Sequence, residues 1–186
     1  NPLYDDLQYV EQKLGGTLSL EVIIDSKNEA GSLQPSFMQK VQNYKEIILH
    51  VPEIATAITP GDYLMLINEE WGSGKRQLPQ TIDEALSFTL DYDRVQTLMN
   101  DDYSKTRISC RISDMPYDRG MQLRDEILQA GEEIFSENID ITVTGSTLLA
   151  LSTSRHLVKN LTTGFIIAFV IIFLSIVLLF RSFRLS

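Results

Sequence analysis

Residues 105–113 read KTRISCRIS and alternate between apolar and polar side chains. In an extended chain the two sets fall on opposite sides: Ile108, Cys110 and Ile112 on one, and Arg107, Ser109, Arg111 and Ser113 on the other. A period of two is typical of a β-strand that has one face in the core and the other in solvent. This stretch therefore predicts a strand of an antiparallel sheet that is covered on one face.

Strands and helices predicted on either side of this stretch make two β–α–β units of similar size. In chain order the predicted elements are a strand at 17–25 (TLSLEVIID), a helix at 35–51 that ends before Pro52, a strand at 54–58, the strand at 105–113, a helix at 117–138 and a strand at 139–145 (IDITVTG). Two such units predict an α+β fold of the split, ferredoxin-like kind, with helices on one face of an antiparallel sheet.

Three further segments flank or interrupt the predicted domain, which covers residues 17–145. Residues 1–16 predict an amphipathic N-terminal helix, because its apolar residues recur at helical spacing at Leu3, Leu7, Val10 and Leu14. Residues from about 60 to 103 separate the two β–α–β units and predict a mostly helical insertion. Residues 146–160 predict a helix that connects the domain to the segment after it.

The segment after the connector, Leu161 to Phe180, reads LTTGFIIAFVIIFLSIVLLF and contains no charged residue. At ~1.5 Å per residue, a helix of this length covers roughly 30 Å, the thickness of the hydrocarbon core of a bilayer. The alternative is a buried core helix, but the apolar character on all sides of the segment favours a span. Its position near the C-terminal end excludes a signal peptide. Residues 161–180 therefore predict a transmembrane helix, with the membrane bilayer as a partner.

The orientation of this span does not follow from its flanking charges. Arg155 and Lys159 lie before it and Arg181 and Arg184 after it, so the basic residues are equal in number on the two sides. Long domains cross membranes largely regardless of their charge, so the acidic domain does not decide the orientation either. The span has no ionisable residue and by itself cannot form a proton relay.

The chain is acidic, and its acidic residues are unevenly distributed. With 16 Lys and Arg against 25 Asp and Glu the formal net charge is −9, and every carboxylate side chain lies at or before Asp140. An acidic domain repels phosphate backbones, which excludes nucleic-acid binding through a basic patch. The single cysteine excludes a disulfide framework and a cysteine-based zinc site, and His50 and His156 lie far apart. We therefore predict no metal and no cofactor.

Two motifs suggest chemistry but lack the partners that the chemistry needs. Residues 71–76 read WGSGKR, yet a phosphate-binding loop needs a glycine where Glu69 stands and a hydroxyl where Arg76 stands. This segment predicts a flexible loop. Cys110 has no histidine near it in sequence, and its place between two isoleucines predicts a small, buried apolar side chain rather than a nucleophile.

The other polar candidates favour surface roles. Asp101-Asp102 and Glu132-Glu133 are adjacent pairs whose side chains point in different directions, so neither forms a two-carboxylate site by itself. His156 is interpreted as an interfacial side chain, and Asn160-Leu161-Thr162 matches a glycosylation sequon that abuts the predicted span. We find no nucleophile–base set, so the sequence predicts no enzyme, no catalytic residues and no assignable substrate-binding residues.

Several short motifs resemble the RND superfamily of membrane exporters. They look most like the branch of predicted lipid exporters that includes the MMPL and hopanoid-transporter-like proteins, and more distantly like Patched and Niemann–Pick proteins. The similar motifs are Asp6-Leu7, Leu14-Gly15-Gly16-Thr17 and Leu20-Glu21-Val22 at the start of the domain, Leu78-Pro79 in the insertion, Thr144-Gly145-Ser146 after the last strand, and Phe180-Arg181-Ser182-Phe183-Arg184 at the end of the span.

This resemblance implies a porter domain in a proton-driven exporter of lipid-like or other hydrophobic substrates. It implies that residues 1–160 face the periplasm of a bacterial inner (plasma) membrane, that residues 181–186 are cytoplasmic, and that the protein is a dimer or trimer. The family's proton-carrying carboxylates lie in other helices, and no residue of this chain matches them. The chain lacks an initiator Met and stops six residues after the span. It therefore resembles a fragment of a longer membrane protein. Its pattern is more similar to the family's second periplasmic loop than to the first, which would make this span the eighth of twelve.

A rival interpretation is a membrane-anchored extracytoplasmic binding or sensor domain that has no transport activity. In that case the apolar segment only anchors the domain. A hydrolase is a third possibility, which the missing nucleophile–base set disfavours.

Overall fold

The structure is a computed structural model, and it describes Gly16 and residues 18–90, 92–135 and 138–183. The N-terminal helix predicted for residues 1–16 lies, apart from Gly16, outside the described residues. The chain divides into two compact units, one that extends to Leu148 and one that begins at Leu149.

Four strands, six α-helices and one 3-10 turn are present in the described part of the chain. In order they are β1 (Leu18–Asp25), the 3-10 turn (Gly31–Leu33), α1 (Pro35–Leu49), β2 (Ile54–Ile58), α2 (Pro60–Trp71), α3 (Ile82–Leu90), α4 (Asp93–Gln96), β3 (Lys105–Ile112), α5 (Tyr117–Ile134), β4 (Asp140–Thr144) and α6 (Ser146–Phe183). The predicted α+β class is confirmed.

The four strands form one antiparallel sheet with the order β2-β3-β1-β4. The central strand β1 pairs with β3 on one side and with β4 on the other, and Val22 lies opposite both Ile108 and Val143. Strand β2 pairs with the other side of β3. The two edges of the sheet are therefore β2 and β4.

The main core lies between α1, α5 and one face of the sheet. Its sheet side is formed by alternate residues of the two central strands, all at most 1% exposed: Leu20, Val22, Ile24, Ile108, Cys110 and Ile112. Tyr44 joins the two helices, because its hydroxyl donates to the backbone carbonyl of Ile127 and its ring lies edge-on to Phe135. The face predicted from the alternation in residues 105–113 is thus the buried one.

Helix α5 ends four residues before the predicted boundary at Asn138. Phe135 leaves the helix with an extended backbone (φ −100°, ψ 147°), and its ring is buried with centroids 5.8 Å from Phe37 and 5.6 Å from Tyr44. Burial of an aromatic side chain stabilises the fold by roughly 1.5–3 kcal/mol, which is more than extending α5 by another turn would contribute. The packing of one ring therefore sets the end of this helix.

A second hydrophobic core joins the insertion between β2 and β3 to the 3-10 turn and α1. That core contains Leu33, Met38, Leu64, Ile67, Leu78, Ala85 and Val95. At the start of α2, Thr59 and Asp62 form a reciprocal capping box, and α1 contacts this cap through two side chains. Gln42 donates to Thr59 Oγ1 at 2.9 Å, and Lys45 lies 2.8 Å from Asp62 Oδ1. The insertion, which the sequence predicts to be mostly helical, contains α2, α3 and α4, whereas neither α4 nor the 3-10 turn was predicted individually.

Helix α6 begins directly after β4 and continues without interruption to Phe183. Within the described residues, one helical stretch is long and apolar enough to cross a membrane: Leu157–Leu178, 22 residues with a mean hydropathy of 2.8. Two hydroxyls in it donate to carbonyls one turn earlier, Thr163 to Lys159 and Ser175 to Ile171. This candidate span covers most of the segment predicted at 161–180.

Gly131→Ala tests how closely α5 and β4 pack. In an exposed helix, alanine is about 1 kcal/mol more favourable than glycine. At this position, however, a Cβ atom would collide with Ile141 Cδ1 and lie 2.9 Å from the Tyr44 hydroxyl. We expect the substitution to lower the free energy of unfolding by about 1–3 kcal/mol, measured by denaturation of the purified chain. The control, Gln129→Ala at an exposed position of the same helix, should change stability by about 0.5 kcal/mol or less. Stabilisation by Gly131→Ala would show that the two elements pack more loosely than described.

Candidate functional site

A groove of about 720 Å³ lies between the C-terminal part of α5 and strand β4. Leu128, Glu132 and Phe135 line it on the helix side, and the four consecutive residues 139–142 line it on the strand side. Successive side chains of a strand point to opposite faces of the sheet. A groove that is lined by three successive residues of β4, Asp140 to Thr142, therefore runs along the edge of the strand rather than over one face.

The floor of the groove is apolar because of how α5 packs on the sheet. Gly131 has no side chain, which allows Ile141 to lie directly against the helix at this point. Leu128 and Glu132 are four residues apart, so they fall on the same side of α5. Leu128, Ile139 and Ile141 are each half-buried and keep part of their surface open to solvent.

Two carboxylates border the groove. Asp140 is paired with Lys27, whose Nζ atom lies 3.0 Å from Asp140 Oδ1. Glu132 is exposed, and no ion pair or hydrogen bond of its side chain is present among the described residues. The groove therefore combines an apolar floor with an acidic rim.

The face of the sheet that α1 and α5 do not cover is polar. Glu21 accepts a hydrogen bond from Ser109 at 3.0 Å and lies 3.4 Å from Arg107 Nε. At the end of β1, the backbone N–H of Lys27 and the side chain of Lys105 hold the pKa of Asp25 below its ordinary value. These pairs lie across neighbouring strands and fix the register of the sheet.

Arg119, on α5, joins two carboxylates of the domain. Its guanidinium binds Glu53 through Nε at 2.6 Å and Nη2 at 3.0 Å, and it binds Glu126 through Nη1 at 2.6 Å. Hydrogen bonding to Arg119 lowers the pKa of Glu53, and the same bonds, with those to Glu126, raise the pKa of Arg119. Each carboxylate already has its partner, so this cluster holds the turn before β2 against α5.

Cys110 lies where the sequence predicts it, on the buried face of β3. Its side chain is 1% exposed, and burial raises the pKa of its thiol to about 12, with a smaller contribution from the negative charge of Glu21. A thiol with this pKa is almost fully protonated at neutral pH and is a poor nucleophile. The prediction of a small buried apolar side chain is confirmed.

The loop at Gly72–Gly74 is held by a buried amide rather than arranged around a phosphate. Asn68 accepts from the Ser73 backbone N–H at 2.9 Å and donates to the carbonyl of Gln77 at 2.9 Å. Lys75 and Arg76 after the loop are exposed.

The remaining sequence candidates do not converge on one site. Both acidic pairs, Asp101-Asp102 and Glu132-Glu133, are exposed, and Asp102 accepts hydrogen bonds from the side chain and backbone of Ser104, which lower its pKa. Asn160 is exposed on α6, and the side chain of His156 lies outside the described part of the structure. Among the described residues no group of three His, Cys, Asp or Glu side chains could hold a metal ion. The groove beside β4 was not predicted, because the order of strands in the sheet determines which strand has a free edge.

No protein-family model matches the chain, and no curated protein matches it. The fold and the site together define a class of protein. Its members have an α+β domain with a groove along one edge of the sheet, followed in the chain by a helix long and apolar enough to cross a membrane.

Glu53→Gln tests the role of the Arg119 cluster. Because the pKa of Glu53 is lowered in the folded chain from its ordinary 4.5, its contribution to stability is present above pH 4.5 and is lost as the pH falls through the lowered value. We expect Glu53→Gln to lower the free energy of unfolding at pH 7 by up to ~1 kcal/mol. It should also make the loss of stability below pH 4.5 shallower.

The control is Glu133→Gln, which removes an exposed carboxylate with no ion pair among the described residues. Denaturation of both variants across the acidic pH range gives the comparison. Parallel curves for Glu53→Gln and the unmodified chain would contradict a stabilising role for the cluster.

Proposed function

We propose that this chain is part of a proton-driven RND-type membrane exporter in which the α+β domain guides a lipid-like or other hydrophobic substrate on the periplasmic side. The observation that carries the proposal is the direct continuation of the domain into α6, which begins at Ser146 and contains the apolar stretch Leu157–Leu178. A domain that moves during transport needs a continuous connection to the membrane helices that supply the energy.

The topology of the domain supports the same proposal. The order β2-β3-β1-β4, with α1 between β1 and β2 and α5 between β3 and β4, is the arrangement that two β–α–β units of a split, ferredoxin-like fold would give. The motifs quoted above for the MMPL and hopanoid-transporter-like branch lie at the start of this domain, in its insertion and at both ends of α6. Carboxylates that carry protons would lie in other spans of the exporter, since Leu157–Leu178 contains one charged residue, Lys159, and no carboxylate.

A membrane-anchored binding or sensor domain is the second candidate function. The groove beside β4 favours it, because that groove is a binding feature that does not need transport. The reading frame that encodes the chain separates the two functions. Further apolar spans, one with an aspartate in a glycine-rich context, support the exporter, whereas a stop codon directly after Ser186 supports the anchored domain.

Transport is tested with the complete gene product in a bacterial host that lacks its own efflux pumps. The probe is N-phenylnaphthylamine, an apolar dye that fluoresces in membranes. We expect energised cells that express the protein to accumulate less dye than cells without it, and we expect a protonophore to abolish the difference. Equal accumulation with and without the protein, for this dye and for a fluorescent phospholipid, would contradict the proposal.

Arg155→Glu tests whether the connector between β4 and the apolar stretch couples the two. We expect this charge reversal to reduce export by about three- to tenfold, as expected when a coupling element loses roughly 1 kcal/mol, while denaturation shows a folded domain. The control is Lys75→Glu, the same charge change in the exposed loop of the insertion. Normal export by Arg155→Glu, or an equal loss in both variants, would contradict coupling through this segment.

A further inference from the structure

The outer edge of β4 is available for pairing. Within the described residues β4 pairs only with β1, from Asp140 opposite Asp25 to Thr144 opposite Glu21. In an antiparallel pair, every second residue directs its N–H and C=O groups away from the partner strand. Residues 140–142 of β4 line the groove, so the outward backbone groups of this part of the strand border it.

The two edges of this sheet differ in how they are protected. Natural edge strands are commonly blunted by bulges, by lysine or by proline. Strand β2 has an irregular register between Ile54 and Thr56. Strand β4 pairs with β1 without a register shift, and its sequence, DITVT, has neither lysine nor proline. The regular edge is thus the one that borders the groove.

The volume of the groove is sufficient for the side chains of an added strand. Its volume of about 720 Å³ exceeds that of a few side chains, and its floor offers apolar surface from Leu128, Ile139 and Ile141. A strand that pairs with β4 would direct every second side chain toward α5 and the others toward the open face of the sheet. Apolar side chains at alternate positions would therefore fill the floor.

Charge indicates what kind of strand fits. Glu132 borders the groove as an exposed carboxylate without a described partner, and Asp140 is already paired with Lys27. A basic side chain at one of the positions that face α5 would pair with Glu132 at the rim, while the other α5-facing positions are apolar. A second copy of this chain, joined edge to edge through β4, would instead bring another Glu132 and another Asp140 to the same rim, which charge repulsion disfavours.

We propose that the groove between α5 and β4 binds an extended segment of a partner protein by β-strand addition, with apolar residues at alternate positions and a basic residue beside Glu132. In this mode, backbone hydrogen bonds supply much of the affinity and the alternate side chains supply the selectivity. The proposal goes beyond the proposed function and holds for an exporter and for an anchored binding domain alike. Failure of the peptide to bind would count against this proposal alone, and failure to export the dye would count against the proposed exporter function alone.

The experiment uses the whole chain, purified in detergent micelles, and a fluorescein-labelled peptide of eight residues in which valine and threonine alternate and a lysine replaces the first valine, so that the lysine and the remaining valines share the side that faces α5. Binding is measured by fluorescence anisotropy, and the site is identified by hydrogen exchange. We expect the peptide to protect backbone amides of residues 140–144 and not those of residues 54–58. A peptide of equal charge with a central proline should bind about tenfold more weakly, because proline removes a donor and interrupts the strand.

Two matched variants test the predicted charge contact. Glu132→Lys should weaken binding of the lysine-containing peptide by about fivefold, the change expected when an exposed ion pair becomes a repulsion. Glu133→Lys makes the same charge change at the next residue, which does not line the groove, and should stay within about twofold. Both residues are exposed, so neither substitution disturbs the core.

Three results would overturn the proposal. Equal weakening by the two variants would show that the peptide responds only to the overall negative charge. Equal binding of the proline peptide would show that no strand is added. Protection of residues 140–144 that rises with protein concentration in the absence of peptide would assign this edge to a second copy of the chain.

Discussion

The register of the central pair β1–β3 is the constraint on which the rest of the domain depends. Eight residue pairs, from Leu18 opposite Ile112 to Asp25 opposite Lys105, align the two strands so that their fully buried residues share one face: Leu20, Val22, Ile24, Ile108, Cys110 and Ile112. A slip by one residue would turn Glu21 and Arg107 into the core and Val22 and Ile108 into solvent. The ion pair between Glu21 and Arg107 on the open face opposes the same slip, so charge and burial favour one register.

Both hydrophobic cores depend on α1, which lies between them. One side of α1 contributes Phe37, Val41 and Tyr44 to the core over the sheet, and Met38 belongs to the core of the insertion. Gln42 and Lys45 reach the cap of α2 and connect the insertion to the same helix. The segment from β2 to β3, which in sequence looks like an interruption, is therefore a packed part of the domain.

The elements that the sequence predicts well are those with one buried face. The alternation in residues 105–113 and the helical spacing of Phe37, Val41, Tyr44 and Ile48 both reflect burial, which acts residue by residue and is visible in the pattern. The end of α5 was placed too late, because Phe135 satisfies a helical spacing while its ring packs in an extended backbone conformation. Helix α4 and the 3-10 turn are too short to show a period.

The site was harder to predict than the fold for a different reason. Alternation identifies β4 as a strand, but it carries no information on whether β4 lies at the centre or at the edge of the sheet. Nothing in the sequence distinguishes Gly131 from any other glycine in a helical segment. Its role in packing depends on Ile141, ten residues later, which lies against it. Glu132 is visible only as half of an acidic pair, since its place beside a free strand edge follows from the tertiary arrangement.

Strand β4 links the groove to the start of α6. After Thr144 the chain turns at Gly145, whose φ of +132° disfavours other residues and where a Cβ would lie 2.8 Å from the carbonyl oxygen of Ser19. The first residues of α6 are then held against β1, since Ser146 Oγ lies 2.9 Å from Ser19 Oγ and Thr147 is buried. Among the described residues, β4 pairs with one strand, β1. A strand added on the other side of β4 would give it two neighbouring strands and would make local unfolding of β4 less frequent. Because only Gly145 lies between the end of β4 and the start of α6, a partner bound in the groove would stabilise the segment through which the domain continues toward the apolar stretch.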